Sequence, residues 1–133
     1  HWFGQSHHEA LTKGGVGAHS HEGRRAAARH AFKMGLHSVA FLGLAEVVTG
    51  AHFTALGFVL AILLNTASHY VIDRRWTLEW LANRTGKGEF YRLGNDTARA
   101  DGSRAFHIGT GAYALDQSAH VLFVFLSALV LGV

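Results

Sequence analysis

Three apolar runs organise this chain. The first goes from Met34 to Val48 and is interrupted at Thr49-Gly50. The second goes from Phe53 through Leu64 to Ile72, and the third from Ala112 to Val133. Arg24 to Lys33 reads as the basic opening turns of the first helix. The second run spans about 20 residues, roughly 30 Å as a helix, which matches the hydrocarbon thickness of a bilayer. Residues 121–133 hold no charge and a single Ser, whereas a soluble helix in so small a protein needs a polar face. The chain has no Pro, so no missing amide interrupts a long helix. The pattern predicts an all-α fold, a small multi-span transmembrane bundle with three apolar helices. A soluble all-α bundle with three buried helices is the alternative, because runs of this length also occur in cores.

The segments between the runs are polar. Residues 1–33 are rich in His, and Lys13-Gly14-Gly15-Val16-Gly17 reads as a loop. Residues 83–111 carry Gly86-Lys87-Gly88, Gly94 and Gly109-Thr110-Gly111, and are expected to form a long loop with little regular structure. A length of 133 residues suits one domain. Residues 1–133 are therefore read as a single helical membrane domain with a Gly-rich loop at about 83–111. The chain opens on His1-Trp2-Phe3 with no initiator Met and no cleavable signal pattern. A preceding segment or a processed start is expected.

Charge orients the bundle. If the runs are threaded as three spans, all twelve Lys and Arg residues fall in the segment before the first span and in the connection between the second and third. The opposite loop, Gly50-Ala51-His52, has none. This is a positive-inside distribution, and it predicts a multi-pass protein of the inner membrane with its Lys/Arg-rich segments cytoplasmic. The net charge of +3 does not imply nucleic acid, since no basic face or groove is laid out. Arg24, Arg25, Arg29 and Lys33 are placed to meet anionic lipid. Absence of Cys excludes disulfides and thiolate metal sites. The asparagines of Asn83-Arg84-Thr85 and Asn95-Asp96-Thr97 fit glycosylation sequons by letter, but on the cytoplasmic side they have no such role.

Polar groups inside apolar helices are costly and require partners. Asn65, His69 and Asp73 are spaced four apart and share one helix face, and Asp116 and His120 repeat that spacing in reverse order. On the first helix His30 and His37 are seven apart and also share a face. His30, His69, Asp73, Asp116 and His120 are the candidate metal ligands. A His and a carboxylate one turn apart can hold one divalent ion, with zinc the best match and manganese or magnesium the alternatives. Equally, His–Asp pairs can hydrogen-bond across helices and fix their register. His7, His8, His19 and His21 read as solvated loop residues. Glu46 is expected to reach the far interface or pair with His52, and Gly35, Ala40 and Gly43 to allow close helix approach. Gly86-Lys87-Gly88 lacks the spacing of a phosphate loop, and no Ser stands in a nucleophile elbow.

Several segments together resemble a family of bacterial membrane proteins, domain of unknown function 3307, in its actinobacterial form. They are Trp2-Phe3-Gly4-Gln5, Ala28-Arg29-His30, Ser68-His69-Tyr70-Val71-Ile72-Asp73-Arg74-Arg75, Gly86 to Gly94, and Gly109 to Gln117 with Ser118 and His120. The resemblance covers nearly the whole chain. It implies a multi-span helical fold and a further N-terminal apolar segment, a fourth span, before His1. It implies no established activity. The His-x-x-x-Asp pattern is also similar to that of membrane-associated metal-dependent hydrolases and zinc phospholipase C-like enzymes.

Three functions follow as expectations. The first is a membrane-embedded, metal-dependent hydrolase-like protein in which a metal-activated water attacks a phosphoester or lipid-linked substrate. The second is a non-enzymatic scaffold, transporter or complex subunit, with its His–Asp pairs as structural or proton-relay groups and with a homo-oligomer or a membrane complex as partner. The third is a soluble helical subunit that meets other chains through its apolar faces.

Overall fold

The computed structural model describes residues 12–13, 19–94 and 109–132. Among them every long element is helical, and three helices are long and apolar enough to cross a bilayer: α1 (His21–Thr49), α2 (Ala55–Asp73) and, after two short helices, α5 (Gly111–Leu131). The short ones are α3 (Trp76–Arg84) and α4 (Gly88–Arg92). The three long helices have 29, 19 and 21 residues, lengths of roughly 43, 28 and 31 Å at the rise of an α-helix. The basic turns thus extend α1 beyond the apolar part that a bilayer core requires.

Local chemistry sets the ends. Ser20 Oγ accepts from Gly23 N–H at 3.0 Å, Thr54 Oγ1 from Gly57 N–H at 3.0 Å, and Thr110 Oγ1 from Tyr113 N–H at 3.2 Å. Each long helix therefore starts on a hydroxyl cap that satisfies an otherwise orphaned amide. The break expected at Thr49-Gly50 is a left-handed cap: Gly50 has φ 69° and donates its N–H to the Glu46 carbonyl. Glu46 Oε1 also accepts from Phe53 N–H at 3.1 Å, so its carboxylate ties the α1–α2 turn.

The middle helix is α2, packed between α1 and α5 and antiparallel to both. Small residues make these seams. Ala26, Ala27, Ala31 and Gly35 are the buried positions of α1 beyond its first turn, and Gly57 and Ala61 those of the first half of α2. A Cβ on Gly35 would stand 2.5 Å from Thr66 Oγ1, and one on Gly57 3.0 Å from the Val130 carbonyl. Gly35 thus has the close-approach role expected of it. Ala40 does not, being exposed, and a Cβ on Gly43 would meet nothing within 4 Å. Large apolar side chains point the other way: Phe32, Phe41, Leu44, Leu63, Val124 and Phe125 are all exposed. Small residues inside and large apolar ones outside suit a lipid surround, and in water would form a belt that a soluble monomer avoids.

The connection after α2 is more ordered than the sequence suggests. Residues 83–111 are expected to be a loop, yet α4 lies within them and α3 ends at Arg84. Residues 95–108 lie outside the described residues. A sharp corner at Arg74-Arg75 separates α2 from α3, with Arg75 at φ 55° and Trp76 N–H donating to the Arg74 carbonyl at 2.5 Å. From there Leu78, Ala82 and Tyr91 form a small core with Ile72 and Ala112, which closes one end of the bundle. Gly111 N–H donates to the Leu93 carbonyl at 2.9 Å. A Cβ on Gly111 would lie 1.6 Å from the Phe90 carbonyl oxygen. Gly111→Ala is therefore expected to destabilise the protein by about 1–3 kcal/mol, the usual cost of forcing volume into a filled contact. Thermal unfolding in detergent checks this, with Gly43→Ala as the control that should stay near wild type.

Candidate metal centre

Antiparallel threading brings the N-terminal third of α1, the C-terminal turn of α2 and the N-terminal turns of α5 to the same end of the bundle. This places three of the expected histidines around the carboxylate of a fourth expected residue, Asp73. Asp73 is buried at 6% exposure. Its Oδ2 lies 3.5 Å from His30 Nε2 and 3.6 Å from His69 Nε2, and its Oδ1 lies 3.9 Å from His120 Nε2. The imidazole rings touch in series, with His30 and His69 centroids 5.1 Å apart and His69 and His120 4.4 Å apart. Ligand atoms of His30, His69 and Asp73 all fall within 4.8 Å of one another, so this group could hold a metal ion.

The separations are informative. They are too long for hydrogen bonds. A tetrahedral ion with bonds near 2.0–2.1 Å holds its ligand atoms about 3.3 Å from each other, which is close to the spacing seen at Oδ2. Moreover, His69 Nε2 and His120 Nε2 are buried without a hydrogen-bond partner. The tautomer of His120 follows from its other nitrogen, because Nδ1 lies 2.8 Å from the Asp116 carbonyl oxygen, which can only accept. Neutral His120 therefore carries its proton on Nδ1 and turns the lone pair of Nε2 toward Asp73.

Asp116 stands behind this arrangement. Its Oδ2 is 3.6 Å from His120 Nδ1 and accepts from Gln117 Nε2 at 2.9 Å. It thus lies to the rear of the His120 ring, where a carboxylate orients a ligand. Asn65, one face-turn above His69, donates to Ser38 Oγ at 2.8 Å, and Ser38 donates to the Met34 carbonyl, so it joins α2 to α1. His37 uses Nδ1 on the Lys33 carbonyl at 2.6 Å. His21 begins α1 instead of lying in a loop, and His19 stacks near Trp76 at 5.5 Å. His7 and His8 lie outside the described residues.

One participant is not signalled by any spacing. Lys13 Nζ donates to Asp73 Oδ2 at 2.7 Å across 60 residues of sequence, with both side chains buried. The described basic residues, from Lys13 and the first turns of α1 to Arg74, Arg75, Arg84, Lys87 and Arg92, all lie at this end of the bundle. Beside them α3 exposes Trp76 and Trp80, with the Arg84 guanidinium 5.4 Å from the Trp80 ring. No family model, curated protein or solved structure matches the chain.

Proposed function

We propose that this chain is a multi-pass protein of the bacterial inner membrane that binds a divalent metal ion, zinc being the best fit, where its three long helices converge. His30, His69 and Asp73 would hold the ion, His120 would complete its donor set, and Asp116 would orient His120 from behind. The observation that carries this reading is the convergence of three imidazole Nε2 atoms on one buried carboxylate at hydrogen-bond-excluding distances. Two of these nitrogens are buried without a partner. The His120 lone pair facing the carboxylate repels it unless a cation lies between them.

A divalent ion there would supply Lewis acidity toward a phosphoryl oxygen and lower the pKa of water. The site lies at the Lys/Arg-rich end of the bundle, beside an exposed Trp–Arg helix suited to the headgroup level. A metal-dependent hydrolase-like activity on a phosphoester or lipid-linked substrate is the enzymatic form of the reading. The positive-inside rule supports a cytoplasmic location for this end, and resemblance to domain of unknown function 3307 supports a multi-span fold.

A second reading is favoured by the Lys13–Asp73 pair, which already balances the charge of Asp73. In it the cluster is a structural or proton-relay element of a scaffold, a transporter or a complex subunit. Metal analysis after purification in detergent separates the two. Wild type is expected to retain close to one zinc per chain and the His69→Ala/His120→Ala variant none. Negligible metal in both would leave the second reading standing.

A further inference from the structure

Lys13, Asp73, Arg74 and Asp116 are the buried charged side chains among the described residues. Asp73 and Asp116 belong to the long helices, and Arg74 to the corner after α2. Lys13 comes from the segment before α1, yet its ammonium lies on Asp73 Oδ2, the same oxygen that faces His30 Nε2 and His69 Nε2. An ion bonded to this oxygen and two imidazoles would sit about 2 Å from Oδ2. The ammonium, 2.7 Å from the same oxygen, would then lie within about 4–5 Å of the ion. Two cations this close on one buried carboxylate oxygen repel each other strongly, because their repulsion is weakly screened there.

We infer that Lys13 is a tethered competitor for the metal position: its ammonium and the divalent ion occupy Asp73 Oδ2 in turn, so loading the site with metal expels Lys13 from it. This rests on the metal reading and adds a regulatory element, because it makes the segment before α1 responsive to metal. It also joins the two readings of the cluster. The Lys13–Asp73 pair is one state of the site and the ion-bound cluster is the other, each satisfying the same buried carboxylate.

The test measures Zn²⁺ affinity of the full chain in nanodiscs by competition with a chromogenic chelator, for wild type, Lys13→Met and Lys13→Arg. Lys13→Met, which keeps the side chain's length without its charge, is expected to bind Zn²⁺ at least about tenfold more tightly, whereas Lys13→Arg, still cationic, should not gain. A lysine that only supports the fold would give the opposite, with affinity unchanged or lower in Lys13→Met, and that result overturns the inference. A readout on the unaltered protein runs alongside: acetylation of Lys13, followed by mass spectrometry, should rise several-fold at saturating Zn²⁺ while exposed Lys87 stays constant. Constant Lys13 labelling in protein that has bound Zn²⁺ would also overturn it. Zn²⁺ bound by none of the three proteins would instead sink the metal reading, and this inference with it.

Discussion

Asp73→Asn is expected to abolish metal retention and to destabilise the bundle at the same time, and the two losses can be separated. Among the described residues this is the carboxylate that faces all three imidazole Nε2 atoms, with Oδ2 shared by Lys13, His30 and His69. An amide of the same shape keeps the volume but removes the charge that draws a cation there. Loss of affinity should exceed the roughly 10–100-fold expected from removing an outer orienting group, the smaller effect anticipated for Asp116→Asn. The same change leaves Lys13 buried without its counter-charge, which costs about 3–5 kcal/mol. Adding Lys13→Met to Asp73→Asn removes both charges, so thermal stability should return toward wild type while Zn²⁺ binding stays lost. Recovery of both, or of neither, would show that charge pairing and metal holding are not distinct roles of Asp73. Calorimetry and metal analysis on the four proteins of this cycle give the answer.

Much of this site was legible in the sequence because helical spacing is a strong constraint. His69 and Asp73 lie one turn apart at the end of an apolar run, and so do Asp116 and His120, so each pair had to share a face. Periodicity does not say how two faces are rotated against each other. The two aspartates looked equivalent in spacing. In the fold Asp73 meets His residues from three helices, while Asp116 contacts the back of one ring and Gln117. Lys13 was invisible for a different reason. It lies in a Gly-rich stretch with no period, and its contact spans 60 residues.

The same distinction applies to the fold. Three long helices announce themselves by length and apolarity. The nine residues of α3 and five of α4 are too short for a periodic pattern and sit among glycines. They are helical because tertiary contacts hold them, Leu78, Ala82 and Tyr91 being buried against Ile72 and Ala112. Short helices draw most of their stability from such contacts, not from intrinsic propensity. The exposed turns of α1 at Arg24 and Arg25, by contrast, were readable because charge position is independent of tertiary detail.

Arginine placed on the outward faces should block membrane integration, and this is the sharpest way to ask what surrounds the bundle. Leu63 lies midway along α2 and Val124 midway along α5, with exposures of 60% and 56%. If lipid covers these positions, Leu63→Arg and Val124→Arg each carry an insertion cost of about 2.5–3.5 kcal/mol, and the double variant should be largely released by an alkaline carbonate wash or degraded. If water covers them, both are ordinary surface substitutions, worth within about 0.5 kcal/mol, and solubility should improve. Ser127, buried three residues further along α5 than Val124, supplies the control. Ser127→Ala removes a hydroxyl whose hydrogen bond stays within its own helix, to the Phe123 carbonyl at 2.8 Å, and should leave integration unchanged under either surround. The outcome also bears on the metal centre. With lipid around the helices, a charged cluster at one end is tolerated only because it sits where Lys and Arg gather and where the chain leaves the hydrocarbon. With water around them, that placement would have no physical cause.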